Sequence, residues 1–200
     1  MDKNYKRKLN EHSPERQIRA FYTEEFIRVY QAYSDEIADC AIETGTFTSP
    51  PFSMTRMTWI KLSFLWMMYR SGWGLKDVRQ KRILAIDISH EGFKEILSQG
   101  VLSTYNNLEK RIQDHDVVIQ WDPERDISLQ KLNYRTIQIG IRNKVLEKYT
   151  NIWIRNISDI TNSVHEIHNL LTTGKYETAL ALLPIEKSYI YQPFSTEIVK

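Results

Sequence analysis

The chain has little cysteine, proline or glycine: one, six and seven in 200 residues. Cys40 alone cannot close an internal disulfide, which fits a reducing compartment. So few glycines and prolines exclude collagen-like and low-complexity classes. No apolar run approaches the roughly 18 residues that span a bilayer, so no membrane association is expected. Residues 1–17 are polar and charged without an apolar h-region, so no secretory signal is expected and a cytoplasmic location is. There is no GxGxxG or GxxxxGK[ST] phosphate loop and no GxSxG elbow. His165 and His168 stand three apart with no third ligand nearby in sequence, so no metal site is expected.

What is present is a globular composition. Hydrophobic residues make up 42% of the chain and charged ones 26%, enough apolar mass for one packed domain. The near-neutral charge of +2 hides an asymmetry. Between residues 51 and 82, Arg56, Lys61, Arg70, Lys76, Arg79, Lys81 and Arg82 face Asp77 alone. Three of the five tryptophans, Trp59, Trp66 and Trp73, fall in the same stretch. Basic residues interleaved with aromatics can form a nucleotide or nucleic-acid surface. The simpler reading is an amphipathic strand and helix with solvated basic edges.

Periodicity and punctuation suggest the elements. Residues 17–22 and 26–30 read as a strand hairpin. A helix over 35–44 starts after Ser34 and ends at Gly45. Residues 54–69 read as a strand over 56–61 and then a helix capped by Ser63 and stopped by Gly72. One continuous helix is the alternative. Strands follow over 81–89, 116–121, 134–140 and 151–156, the second stopped by Asp122-Pro123. Helices are expected over 91–98, 103–113, from Ser158 or Thr161 onward, and over 175–183. The expected fold is α+β. It is a single domain over 16–190 with a mostly antiparallel, twisted sheet of about six strands and flanking helices. Residues 1–15 would be a disordered basic arm and 191–200 a tail.

Some polar residues sit where a partner is obligatory. Arg19 lies on an apolar strand, so it either pairs with a carboxylate or receives an anionic ligand. Arg56, Lys61, Ser63, Arg70 and Arg135 pose the same question, as does Gln31. In the string from Gln120 to Arg125, Asp122, Glu124 and Arg125 cluster at a strand end, where a carboxylate could serve as general base or stabilise a cationic transition state. A capped turn is the plainer reading of that string. Cys40 reads as a small core residue.

Several strings together resemble one family. They are IRAFY at 18–22, VYQAY at 29–33, RMTWIK at 56–61, SFLWMMYRSGW at 63–73 and RILAI at 82–86. QWDPERD at 120–126, YRTIQIG at 134–140, the segment from Trp153 to Thr161 and LLPIEKSY at 182–189 complete them. The chain is similar over about residues 16–190 to the family called domain of unknown function 4291. Leu62 departs from it, since Pro is usual there. That membership implies no activity. A fold-level resemblance to ADP-ribosyltransferases implies more: an early-strand Arg, a Ser at a helix start and a late-strand Glu. It would make Glu124 the catalytic carboxylate. Arg19 would bind the phosphates or ribose of NAD, Ser63 would position the nicotinamide-side ribose, and Trp59 or Tyr69 would stack on nicotinamide. Apart from that resemblance, Arg56, Lys61, Arg70, Gln120 and Arg135 would bind an anion or substrate if they converge on one face. Gln120 stands four residues before Glu124, where those enzymes often carry Gln or Glu two before.

Three readings follow. The first is an NAD- or nucleotide-handling enzyme, and the second an RNA- or DNA-binding module on residues 56–82. The third is a non-enzymatic interaction domain in which Arg19, Arg56 and Glu124 form internal ion pairs. The oligomeric state is not written in the sequence.

Overall fold

A computed structural model describes residues 14–104 and 112–190. The expected helix over 103–113 falls mostly outside them, and only a 3-10 turn at Ile112–Asp114 is seen. The expected tail and most of the expected arm lie outside as well. Glu15, placed in that arm, is held: its carbonyl accepts from the Arg135 N–H at 2.7 Å.

The chain forms an α+β domain around a seven-stranded sheet, one strand more than expected. Its strands are β2 (Ile27–Tyr33), β3 (Thr58–Lys61), β4 (Arg82–Ile88), β5 (Gly100–Leu102), β6 (Val117–Arg125), β7 (Lys131–Ile141) and β8 (Ile154–Asp159). Their order is β5-β6-β7-β3-β2-β4-β8, antiparallel except for β5 beside β6. β1 (Arg19–Ala20) pairs with β9 (Lys187–Ser188) in a separate two-stranded sheet. The expected hairpin of residues 17–22 with 26–30 therefore shrinks to one bridge, Tyr22 to Ile27. Arg19 and Ala20 take their ladder partners from the far end of the chain.

Helices cover both faces. α1 (Asp35–Thr44), α3 (His90–Ser98) and α4 (Asn143–Lys148) lie on one side. There Ile27, Ile60, Ile86, Ile119 and Ile139 pack with Ala38, Phe93 and Leu146 into the main core. α2 (Phe64–Ser71), α5 (Thr161–Thr172) and α6 (Tyr176–Ala181) lie on the other, around Tyr30, Met67, Ile83, Val164 and Ala179. Side chains alternate across a strand, so Ile119 and Trp121 of β6 enter the main core while Gln120, Asp122 and Glu124 face the α2 side. This polar row is the ground on which the site is built.

Two expectations about strand ends need correction. Asp122-Pro123 does not stop β6, which runs on to Arg125 with a register shift between Pro123 and Arg125. β5 covers β6 only at Val117–Ile119. Pro123 therefore sits on an uncovered edge, where a missing N–H breaks no ladder. The strand expected at 151–156 begins only at Ile154, because α4 continues into a π turn over Tyr149–Trp153. That turn drives the Trp153 ring onto α3, where a Cβ on Gly92 would stand 2.2 Å from its Cγ. Gly92→Ala thus separates two effects. Helix propensity alone would stabilise the protein by about 1 kcal/mol. The clash should instead destabilise it by about 1–3 kcal/mol in urea unfolding.

Candidate functional site

β3, β7 and β6 stand in register, which puts Lys61, Gln138 and Gln120 in one row and Trp59, Gly140 and Val118 in the next. Ser63 caps α2, its Oγ accepting from the Trp66 N–H at 3.1 Å, and Gly72 ends the helix in a left-handed conformation at φ 59°. That short helix lies over one part of the row and leaves a cavity of about 780 Å³ beside it. Lys61, Gln120, Asp122 and Gln138 line it from the sheet, Trp59 and Trp66 add aromatic walls, and Arg56, Arg70 and Arg79 also line it.

Lys61 is the unusual member. Its residue is only 8% exposed, and its Nζ donates to the Trp59 carbonyl at 3.1 Å. Among the described residues no carboxylate forms an ion pair with it. The Trp66 ring lies 5.6 Å from the amine. Burial pushes the amine down to about 7, the Arg70 charge pushes the same way, and Asp122 opposes both. Asp122 is itself held from two sides: Gln120 Nε2 donates to its Oδ1 at 2.9 Å, and Gln138 Nε2 donates to its Oδ2.

The basic stretch divides. Lys81 pairs with Asp35 at 2.7 Å, Arg82 with Asp39 at 2.7 Å, and Arg79 with Asp77 at 2.9 Å. Arg56 and Arg70 have no ion-pair partner among the described residues, and both line the cavity.

A second, smaller cavity of about 310 Å³ is lined by Arg19, Ser63, Glu124, Arg125, Asp126 and Glu186, with apolar residues between them. Ser63 Oγ donates to Glu124 Oε1 at 2.7 Å, and the Arg125 N–H reaches the same oxygen at 2.7 Å. Glu186 Oε1 accepts from the Phe64 N–H at 2.6 Å, and Arg19 Nη2 donates to the Glu186 carbonyl at 3.2 Å. Burial raises the Glu124 carboxyl, with the Arg125 and Ser63 hydrogen bonds opposing it. Burial raises Glu186 strongly, and the neighbouring Glu124 charge adds to it.

The sequence-derived residues thus fall in three places. Arg19, Ser63 and Glu124 share the small cavity. Trp59, Arg56, Lys61, Arg70 and Gln120 share the large one. Tyr69 is in neither: its ring lies 3.5 Å from the Arg125 guanidinium carbon. Arg135 is also in neither, as Nη1 donates to the Trp121 carbonyl at 3.1 Å and Nε approaches Glu15 at 3.4 Å. Sequence reasoning missed Glu186 and Gly140. A Cβ on Gly140 would stand 2.5 Å from Met57 Sδ and 3.1 Å from Trp59 Cε2, so only glycine lets those side chains lie on the sheet. Its position opposite a tryptophan inside a strand was the available signal.

Among the described residues, no group of three His, Cys, Asp or Glu is placed to hold a metal ion, and no helix is long and apolar enough to cross a membrane. His168 stacks on Trp73 at 5.3 Å. Cys40 is half-buried rather than fully in the core, with Sγ 3.0 Å from the Thr48 hydroxyl.

The glutamate pair gives a pH test. Its raised native pKa means that the folded state keeps a proton the unfolded chain has released. That stabilisation is complete below the ordinary value of 4.5 and is lost as pH rises through the native value. Glu186→Gln keeps an acceptor for Phe64 but removes one carboxylate. Wild-type melting temperature should therefore fall by a few degrees relative to the variant as pH rises above 4.5. A constant difference across that range would show that the pair does not titrate this way.

No match is found among curated proteins. The family model described as Domain of unknown function (DUF4291) matches residues 17–189, which takes in every residue of both cavities. The chain belongs to that family.

Proposed function

We propose that the protein is a nucleotide-binding enzyme whose ligand occupies the cavity lined by Lys61, with NAD as the specific candidate. One observation carries the reading. Arg56 and Arg70, without ion-pair partners among the described residues, line a cavity that also holds a buried lysine and two indoles. Cations there suit phosphate, and flat aromatic walls suit a base or nicotinamide ring. The volume of about 780 Å³ falls within the usual range for small-molecule and cofactor sites.

The ion pairs of Arg79, Lys81 and Arg82 weaken the nucleic-acid reading, because they neutralise much of the basic stretch within the domain. An ADP-ribosyltransferase-like reaction is the second reading, favoured by the Ser63–Glu124 contact with Arg19 in the same cavity. On that reading the Glu124 carboxylate would stabilise positive charge developing at the ribose anomeric carbon.

Calorimetric titration with NAD, ATP and ADP-ribose tests the binding. At least one should bind at millimolar concentration or below, with affinity falling as salt rises. Arg56→Ala and Arg70→Ala should each weaken it roughly tenfold without changing the melting temperature, since both side chains are exposed. If no nucleotide binds at millimolar concentration, the reading falls. Release of nicotinamide from NAD tests the reaction. Glu124→Gln should abolish it, and undiminished release by that variant would sink the second reading.

A further inference from the structure

We propose that Lys61 is a covalent nucleophile, its Nζ condensing with the open-chain aldehyde of a phosphate-bearing sugar. The proposal rests on the reading that this cavity takes a phosphate-bearing ligand. Its geometry is independent of any nucleotide. A lysine is almost never buried without a paired anion, yet Lys61 lies in a large cavity with a backbone carbonyl as its hydrogen-bond acceptor and no ion pair among the described residues. A purely structural lysine would extend to solvent or meet a carboxylate. Asp122 lines the same cavity, but its two oxygens are engaged by Gln120 and Gln138.

The surroundings suit the chemistry. A lysine desolvated next to a second cation is a known way to keep an amine neutral. Arg70 of α2 supplies that cation, and Asp122 of β6 supplies the opposing charge. Arg56, Arg79 and the Tyr33 hydroxyl are the other ionisable groups lining the cavity. With the amine near 7, about half is neutral at neutral pH, against under 0.1% for an ordinary lysine. The Nζ lone pair attacks the carbonyl carbon, and one amine proton moves to the carbonyl oxygen to give a carbinolamine. Loss of that oxygen with the remaining amine proton, as water, leaves a neutral imine, which takes a proton from solvent to become the iminium. No oxidant or reductant is needed, and water reverses the step. Arg56 and Arg70 would hold the phosphate, and Asp122 would balance the iminium charge.

Pyridoxal phosphate, which joins an aldehyde, a ring and a phosphate, is the probe. Wild type is incubated with it near pH 7, reduced with borohydride and mapped by peptide mass spectrometry. Lys61 should be labelled on the order of a hundredfold faster than surface lysines such as Lys76 and Lys81, with a pH midpoint near 7. Excess inorganic phosphate should slow the reaction. Lys61→Arg keeps a cation but should lose this adduct, and a melting curve establishes that it folds; should it not fold, the wild-type map alone decides. Equal labelling of Lys61 and surface lysines overturns the proposal. Calorimetric binding of pyridoxal phosphate without an adduct at Lys61 overturns it while leaving the phosphate site standing. Failure of both binding and labelling overturns the two together.

Discussion

The Ser63 hydroxyl ties the functional face together. It accepts from Trp66 N–H, which starts α2, and it donates to Glu124 Oε1, which fixes α2 to β6. One oxygen thereby sets where the helix begins and which row of the sheet it crosses. Lys61 is two residues upstream and Trp66 three downstream, so both are carried to the large cavity by the same constraint. On the other side, Phe64 N–H takes Glu186 from the C-terminal segment. Two free N–H groups at the start of α2 are thus satisfied by side chains, Ser63 and Glu186, that both line the small cavity. Here Leu62 is fully buried, and the cap alone makes the break between strand and helix.

The charge asymmetry has a structural resolution. Residues 51–82 are basic, and the acidic remainder does not simply balance them at a distance. Asp35 and Asp39 from α1, and Asp159 from the end of β8, fold onto Lys81 and Arg82 at the start of β4. Exposed pairs of this kind contribute little to stability, about 0–1 kcal/mol each. Their consequence is spatial: Arg56, Arg70 and Lys61, which line the large cavity, keep no ion-pair partner among the described residues.

Much of this was legible locally. The Ser63 cap, the Gly72 stop, the strand over 81–89 and the helix over 35–44 each carry their own start or stop signal within a few residues, and each forms close to the expected place. What was not legible depended on neighbours distant in sequence. Pro123 reads as a strand breaker until one knows that β5 leaves that edge uncovered. Once β6 is allowed through, Gln120, Asp122 and Glu124 become alternate residues on one face, where the sequence had suggested a turn. Arg19 looked like a hairpin residue because its true partner, Ser188, is far along the chain. Glu186 carried no signal of a site role, only its place in the family string at 182–189. It sits in a segment with no periodicity and acquires meaning only through Phe64 and Glu124. Grouping the site residues from chain order placed Trp59 with Glu124, whereas α2 puts them in different cavities.

Desolvation acts in opposite directions at the two cavities, with one result. In the large cavity it disfavours the ammonium form of Lys61 and moves the amine toward neutrality. In the small cavity it disfavours carboxylate, and the proximity of Glu124 and Glu186 keeps a proton there. Both effects reduce the charge that the fold must bury, and both move a titratable group toward the form that water does not favour. Structural ion pairs normally do the reverse, stabilising the charged form, as the hydrogen bond to Asp87 does for the Arg28 guanidinium across β2 and β4 at 2.6 Å. A neutral amine and a retained carboxylic proton are useful to a ligand that can accept from one or react with the other. The domain pairs its charges between α1, β2, β4 and β8, and leaves them unpaired or crowded beside α2, where the two cavities open.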